Sequence, residues 1–130
     1  MTVKSILFVD DEVPLLNSLK RMLKPLEHDW QLTFAGGASE ALIMMEQAPV
    51  DVVVADLCMP QMDGIELLSL VKEKYPHVVR VMLTGQPEYE NYRNSMTVSQ
   101  YFLWKPVKLS AMETLLQLLS NQEVCLEATY

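Results

Sequence analysis

The sequence predicts an α/β domain in which a five-stranded parallel sheet carries helices on both faces. Short apolar runs rich in β-branched residues alternate strictly with segments whose apolar residues recur at helical spacing. The third run, residues 50–56, is apolar along almost its whole length, as expected for a strand covered on both sides. A chain of 130 residues is long enough for one domain with a single core.

Each element follows from a local pattern. The predicted strands are residues 6–9, 31–35, 50–56, 78–84 and 99–104. Helices are predicted around apolar residues at helical spacing, at 14–26, 38–47, 65–75 and 109–119. Pro14 suits a first helical turn, Ser39 is a candidate N-cap, and Ser110 has capping-box spacing to Glu113. A short, polar fourth helix is predicted around Tyr89 and Tyr92.

Composition and charge argue against several classes of protein. A net charge of -7 and a pI near 4.7 argue against non-specific nucleic-acid binding by this domain. Cys58 and Cys125 form no disulfide framework, no signal peptide opens the chain, and no run is long enough to cross a bilayer. We therefore expect a cytoplasmic protein without a membrane segment. We expect the domain to span residues 1–122, with 123–130 a C-terminal tail or the start of a linker to an output domain.

Polar side chains stand at the carboxyl ends of four of the predicted strands. Asp10 and Asp11 follow the first strand, and Asp56, Thr84 and Lys105 stand at the ends of the third, fourth and fifth strands. In an open parallel sheet these ends meet in one crevice. Taken singly, the acids are also typical helix caps, the threonine a turn residue and the lysine a surface charge.

A bound cation would explain why three carboxylates gather there. Clustered carboxylates with no thiolate or imidazole nearby suit a hard ion, and Mg²⁺ takes one or two carboxylates, a carbonyl and several waters. Without the ion, mutual repulsion should raise at least one of the carboxyl pKa values.

Four segments together resemble a known family. FVDDE, VVVADLCMPQMDGIEL, VMLTG and YFLWKPV are similar, in order and spacing, to the signature segments of response-regulator receiver domains of two-component signal transduction. The resemblance covers nearly the whole chain, from about Lys4 to the last helix. It implies a (βα)5 flavodoxin-like receiver fold and a cytoplasmic switch that receives a phosphoryl group from a histidine kinase.

The resemblance also implies roles for the strand-end residues. Asp56 corresponds to the phosphoacceptor, which becomes an aspartyl phosphate. Asp10 and Asp11 correspond to the acidic pair that binds Mg²⁺ together with Asp56, and the backbone carbonyl of Cys58 to a further metal ligand. Lys105 corresponds to the family's lysine at the phosphorylation site.

A conformational switch is implied by two further positions. Thr84 corresponds to the hydroxyl that donates a hydrogen bond to the new phosphoryl group. Phe102 stands where the family uses an aromatic residue that enters the space behind that hydroxyl; a plain core role for Phe102 stays open.

Three residues are expected to shape the loops around the site. A cis bond before Pro106 would aim Lys105 into the crevice, whereas an isolated X-Pro bond is usually trans. Pro60 and Gly64 shape the turn into the third helix, and Asp63 caps that helix rather than binding metal.

The function expected from these residues is a phosphorylation-controlled binding module rather than an enzyme with an external substrate. A degenerate receiver that acts as a phosphorylation-independent interaction module stays open as the alternative. An aspartate-nucleophile phosphohydrolase would need a second aspartate where Cys58 stands, and a flavin carrier would need a phosphate cradle where DDEVP stands.

The partners are only partly implied. A histidine kinase is the expected phosphodonor, and a homodimer through the face formed by the fourth helix, the fifth strand and the last helix is an expectation of the same resemblance.

Overall fold

The strands form one parallel sheet, as predicted. The computed structural model describes residues 4–85, 94 and 96–129, and for residues 121–129 the course of the backbone alone. The strands are β1 (Lys4–Val9), β2 (Trp30–Ala35), β3 (Val52–Asp56), β4 (Val79–Thr84) and β5 (Tyr101–Trp104). Their order across the sheet is β2-β1-β3-β4-β5, and every neighbouring pair is parallel. Because β1 lies beside β3 and β3 beside β4, the strand-end residues of the prediction meet at one edge.

The helices are α1 (Val13–Met22), α2 (Ala38–Gln47), α3 (Gly64–Lys74) and α4 (Leu109–Thr129), with a 3₁₀ helix at Lys24–His28. The predicted fourth helix, around Tyr89 and Tyr92, lies outside the described residues except for position 94 and the helical residues 96–98. α4 continues without a break through residues 123–129. Among the described residues, no helix combines the length and the apolar character needed to cross a membrane.

Two apolar layers enclose the sheet. Buried residues of α2 and α3 pack on one face against Leu7, Val53 and Met82. Buried residues of α4 and Leu19 of α1 pack on the other face against Ile6 and further strand residues. Successive residues of each strand point to opposite faces of the sheet and so contribute to both apolar layers. This confirms the predicted helices on both faces.

Three local predictions about helix ends are wrong. α1 ends at Met22 rather than continuing to residue 26, because Pro25 has no N–H to donate and the chain turns into a 3₁₀ helix. Gly37, not Ser39, is the N-cap of α2, and the Glu40 carboxylate accepts a hydrogen bond from the N–H of Gly36 (2.8 Å). Ser110 lies inside α4, which begins one residue earlier.

Candidate functional site

Three carboxylates meet where β1 and β3 end. Asp10 and Asp56 are 2% and 3% exposed, whereas Asp11 is half-buried. The pairing of Val9 with Ala55 places Asp10 beside Asp56, since both residues follow directly in neighbouring strands. One oxygen from each of the three carboxylates lies within 4.8 Å of the other two. The structure therefore brings together the acidic cluster that the sequence predicts.

Lys105 reaches into this cluster from the end of β5. Its Nζ atom lies 3.0 Å from Oδ2 of Asp56 and 3.5 Å from Oδ2 of Asp10. Its backbone N–H donates to the carbonyl of Thr84 (2.9 Å), which extends the pairing of β4 with β5 by one residue. The bond between Lys105 and Pro106 is cis, as expected from the resemblance.

The electrostatics of the two main partners are linked. Burial raises the pKa of Asp56 above its ordinary value and the Asp10 charge adds to the increase, while Lys105 and the N–H of Cys58 act against it. For Lys105, burial alone would lower the pKa, but its contacts with Asp56 and Asp10 outweigh burial and the pKa is raised. The ammonium is thus held as a cation between two carboxylates.

Asp10 carries an oxygen that the protein leaves unsatisfied. Its Oδ1 accepts a hydrogen bond from the N–H of Glu12 (2.9 Å). Its Oδ2 is buried and accepts no hydrogen bond from any residue in the described part of the chain, although Lys105 lies at ion-pair distance. Buried polar atoms are rarely left this way unless a water or an ion completes the site. An orphaned oxygen within a group of carboxylates fits a hard cation such as Mg²⁺.

The loop after β3 is closely tied to Asp56. The N–H of Cys58 approaches Asp56 Oδ1 at 3.4 Å, and the Cys58 side chain is exposed. Gln61 has a φ of 67°, and the N–H of Met62 donates to the Pro60 carbonyl (2.7 Å). This is a γ-turn in which a non-glycine residue occupies the left-handed region. A cavity of about 370 Å³ lined by residues 57–60 and Asp63 opens beside the loop.

The start of α3 packs directly on the end of β3. Asp63 is its N-cap, as predicted, and accepts a hydrogen bond from the N–H of Glu66 (2.9 Å). Gly64 donates its N–H to the Leu57 carbonyl (3.0 Å), and a Cβ at Gly64 would overlap the carbonyl oxygen of Asp56. The absence of a side chain at Gly64 is therefore what allows α3 to approach Asp56.

Thr84 and Phe102 lie in the same layer of the protein. Thr84 ends β4 and is 3% exposed. Phe102 stands opposite Met82 of β4 and is half-buried against the cluster that Met82 belongs to. Thr84 and Met82 are two residues apart in a strand and share a face, so Thr84 and Phe102 lie on the same side of the sheet.

Sequence reasoning missed one residue of this part of the molecule. Arg80, four residues before Thr84 on the same face of β4, is buried and 7% exposed. The signal was a lone cation inside the apolar run VVRVMLT. A charged residue is seldom fully buried without partners, but the pattern could not say which groups those partners would be.

A family model and several characterised proteins are similar to this chain in sequence. Residues 6–117 match the family model described as "Response regulator receiver domain". The hydrogenase transcriptional regulatory protein HoxA of Cupriavidus necator is 31% identical over 107 residues, which are 78% of this chain and 22% of that protein. A putative NtrX-like response regulator of Rickettsia bellii is 26% identical over 120 residues, or 90% of this chain and 25% of that protein. This chain thus spans about a quarter of the length of such relatives, or less.

Solved structures are similar over nearly the whole chain. The signal receiver domain of an HD domain-containing protein from Pseudomonas fluorescens has a TM-score of 0.86 and 31% identity, with 95% of this chain and 99% of that chain covered. The chemotaxis protein CheY4 of Vibrio cholerae has a TM-score of 0.80 and 25% identity, with 89% of this chain and 98% of that chain covered.

Proposed function

The chain belongs to the response regulator receiver domain family, and from this premise we propose that Asp56 is the residue that accepts a phosphoryl group from a histidine kinase. The observation that carries the proposal is the contact between Lys105 and Asp56, 3.0 Å long, inside a cluster of three carboxylates. A cation beside a buried carboxylate would stabilise the negative charge that a phosphoryl group adds when the carboxylate attacks it as a nucleophile.

The carboxylate cluster supports a metal site. We propose that Asp11, Asp56 and the backbone carbonyl of Cys58 would bind Mg²⁺, with Asp10 completing the site through its otherwise unsatisfied Oδ2 atom. When bound, Mg²⁺ neutralises charge on the transferring phosphoryl oxygens.

The proposed transfer depends on the ionised form of Asp56 and on the cation of Lys105. An oxygen of Asp56 attacks phosphorus in line, a P–O bond forms, and the P–N bond of the phosphohistidine breaks with its electron pair remaining on the imidazole. Asp56 must be ionised for this, and Lys105 favours the ionised form. The Lys105 ammonium then contacts the phosphoryl oxygens, which carry more charge than the carboxylate it held before.

Phosphorylation is proposed to shift the domain between two conformations. Thr84 donates its hydroxyl to the phosphoryl group, and Phe102 moves into the space that Thr84 leaves. Phe102 has no hydroxyl, so its two positions differ by packing alone. The phosphoryl group would stabilise the conformation in which the Thr84 hydroxyl can reach it, and so shift the equilibrium toward that conformation.

The domain boundary and the partners remain part of the proposal. We propose that the receiver spans residues 1–122 and that residues 123–130 are a C-terminal tail or the start of a linker to an output domain; α4 is helical through residue 129. The output is a partner or fused domain of unknown kind, in the cytoplasm. A homodimer through the segment before β5, β5 itself and α4 is the proposed assembly.

The test is phosphorylation by a small-molecule phosphodonor. We expect acetyl phosphate with Mg²⁺ to add one labile phosphoryl group, seen by intact mass, and EDTA to prevent it. Asp56→Asn should abolish the adduct. Asp29→Asn is the matched control, because Asp29 is an exposed aspartate before β2. An adduct that persists in the Asp56 variant would refute this assignment, and no adduct in the parent protein would refute the switch itself.

A further inference from the structure

The loop between β3 and α3 holds its backbone in an unfavourable conformation at Gln61. Its φ of 67° is the only positive φ of a non-glycine residue in the described part of the chain. The N–H of Met62 donates across it to the carbonyl of Pro60 (2.7 Å), which makes a γ-turn of the rarer and more strained kind. Gln61 is exposed, so burial of its side chain does not offset the strain. Strained backbone is concentrated at functional sites, where it serves to position groups.

Both ends of this loop are fixed. The N–H of Leu57 donates to the carbonyl of Leu83 in β4 (2.9 Å), and the carbonyl of Leu57 accepts from the N–H of Gly64 at the start of α3 (3.0 Å). Residues 58–63 therefore leave and rejoin the fold at two points that one hydrogen bond joins. A chain that returns to its start over so few residues must reverse its direction, and the γ-turn at Gln61 contributes a sharp reversal within that span.

Several other residues of the loop have little freedom to take over this reversal. Met59 is buried in the apolar layer beneath α2 and α3. The ring of Pro60 fixes its own φ and favours an extended backbone at Met59. Asp63 is held as the N-cap of α3. If Gln61 could not adopt a left-handed conformation, the change would therefore fall on the less constrained residues of the loop, Cys58 among them.

Cys58 is weakly held and stands beside the proposed metal site. Its N–H reaches Oδ1 of Asp56 at 3.4 Å, a long hydrogen bond that constrains the backbone little, and its side chain is exposed. The carbonyl of Cys58, proposed above as a Mg²⁺ ligand, therefore depends on the rest of the loop for its orientation. Because Mg²⁺ requires near-ideal octahedral geometry, a carbonyl that turns away is lost as a ligand.

We propose that Gln61 is a positioning residue, whose left-handed backbone holds the loop so that the carbonyl of Cys58 can bind Mg²⁺. This inference rests on the metal site of the proposed function. The role belongs to the backbone of Gln61, and its side-chain amide has no part in it. Groups that orient a metal ligand without touching the metal commonly change metal affinity by about 10–100-fold when they are replaced.

The test separates the backbone preference of position 61 from its side-chain chemistry. Gln61→Gly and Gln61→Asn keep the left-handed conformation accessible. Gln61→Val and Gln61→Thr are β-branched and strongly disfavour it. Gln31→Val is the matched control, because Gln31 is exposed in β2, where valine is well tolerated. The readout is the Kd of the full chain for Mg²⁺, measured by isothermal titration calorimetry, and urea unfolding in EDTA shows whether each variant is folded.

We expect Gln61→Val and Gln61→Thr to bind Mg²⁺ about tenfold more weakly than the parent, and Gln61→Gly, Gln61→Asn and Gln31→Val to stay within about twofold of it. A general loss of stability does not change the Kd of a protein that stays folded, so the Kd separates a positioning role from a merely structural one. If Gln61→Val does not fold, Gln61→Thr decides.

The possible failures are distinct. A Kd that is the same in Gln61→Val, Gln61→Thr and Gln31→Val would overturn the positioning role and leave the metal site standing. A loss of affinity in Gln61→Gly as large as that in Gln61→Val would also overturn it, because the side chain would then be responsible. A parent protein that binds no Mg²⁺ would overturn the proposed metal site and with it this inference. A parent that binds Mg²⁺ but takes up no phosphoryl group would overturn the phosphoacceptor role of Asp56, and the comparison of Kd values would still decide the role of Gln61.

Discussion

Replacing Asp10 with Asn should stabilise the protein without Mg²⁺ and destabilise it relative to the parent with Mg²⁺. The substitution keeps the shape of the side chain and the Oδ1 atom that accepts from the N–H of Glu12. It removes a buried charge whose Oδ2 accepts no hydrogen bond within the described residues. The sign of the effect should therefore depend on whether a cation is bound.

The size of the effect follows from three distances. Oxygens of Asp11 and Asp56 lie within 4.8 Å of one from Asp10, so at an effective dielectric constant of about 20 each pair repels by about 3.5 kcal/mol. The attraction to Lys105 over 3.5 Å is worth about 5 kcal/mol on the same scale. The difference favours Asp10→Asn by about 2 kcal/mol, and the lost desolvation cost of a 2% exposed carboxylate acts in the same direction.

Mg²⁺ bound at the proposed site should reverse this order. A ligand at a concentration 100 times its Kd stabilises the folded state by about 2.7 kcal/mol, and the parent should gain this while Asp10→Asn gains less. Urea unfolding in EDTA and in Mg²⁺ at matched ionic strength measures both free energies of unfolding. Glu12→Gln, an exposed acid beside the site, is the control and should differ from the parent equally in both buffers. An Asp10→Asn protein that is less stable than the parent in EDTA would refute the reasoning.

Further predictions concern the loop after β3 and the ionisation of Asp56. Gly64→Ala should lose about 2–4 kcal/mol of unfolding free energy, because its Cβ overlaps backbone that no rotamer can clear, whereas Gly37→Ala, whose Cβ meets nothing within 4 Å, should change it by less than about 1 kcal/mol. Urea unfolding measures both, and equal losses would contradict the packing argument. Gln61→Gly should stabilise the protein by up to about 1 kcal/mol by relieving the left-handed backbone, and a clear loss would mean that the Gln61 side chain contributes contacts. The pKa of Asp56 is raised in the folded metal-free protein, so the folded state binds this proton more tightly than the unfolded state. The contribution of Asp56 to stability should therefore fall as pH rises from the ordinary aspartate pKa through the raised one, and urea unfolding across pH should show this fall in the parent and not in Asp56→Asn.

The fold was predictable because its signals are long and redundant. Five apolar runs and the helical spacing between them agree on one architecture, and the observed strands start or end within a residue or two of the predicted ones. The bounds of α2 agree with the prediction at both ends. Such patterns depend on many residues at once, so a single unfavourable residue does not change the outcome.

Helix ends were less predictable because they depend on competition between neighbours. Ser39 has the right chemistry for an N-cap, but Gly37 takes that position and Glu40 satisfies the N–H of Gly36 from inside the helix. The turn after α1 is likewise decided by Pro25, against apolar spacing that continues to Leu26. A residue's capping propensity does not state which of several candidates will be used.

In the candidate site, too, some features were predictable from the sequence and others were not. The residues at the strand ends were predictable, because a parallel sheet brings the carboxyl ends of neighbouring strands together. The partners of Arg80 were not, because backbone carbonyls leave no trace in the sequence. Their identity depends on where the segment before β5 crosses the end of the sheet, which is a property of the folded chain.

Lys105 gives the site a property that follows from its contacts before any reaction. Its ammonium already lies 3.0 Å from Asp56. A phosphoryl oxygen on Asp56 would therefore find a cation next to it without any movement of Lys105. Preorganised charge of this kind costs no rearrangement when the phosphoryl group arrives. Asp10 holds the same ammonium from the other side at 3.5 Å. Asp10 therefore acts on Asp56 in two ways: its charge raises the pKa of Asp56, and its ion pair with Lys105 restrains the position of the cation beside Asp56.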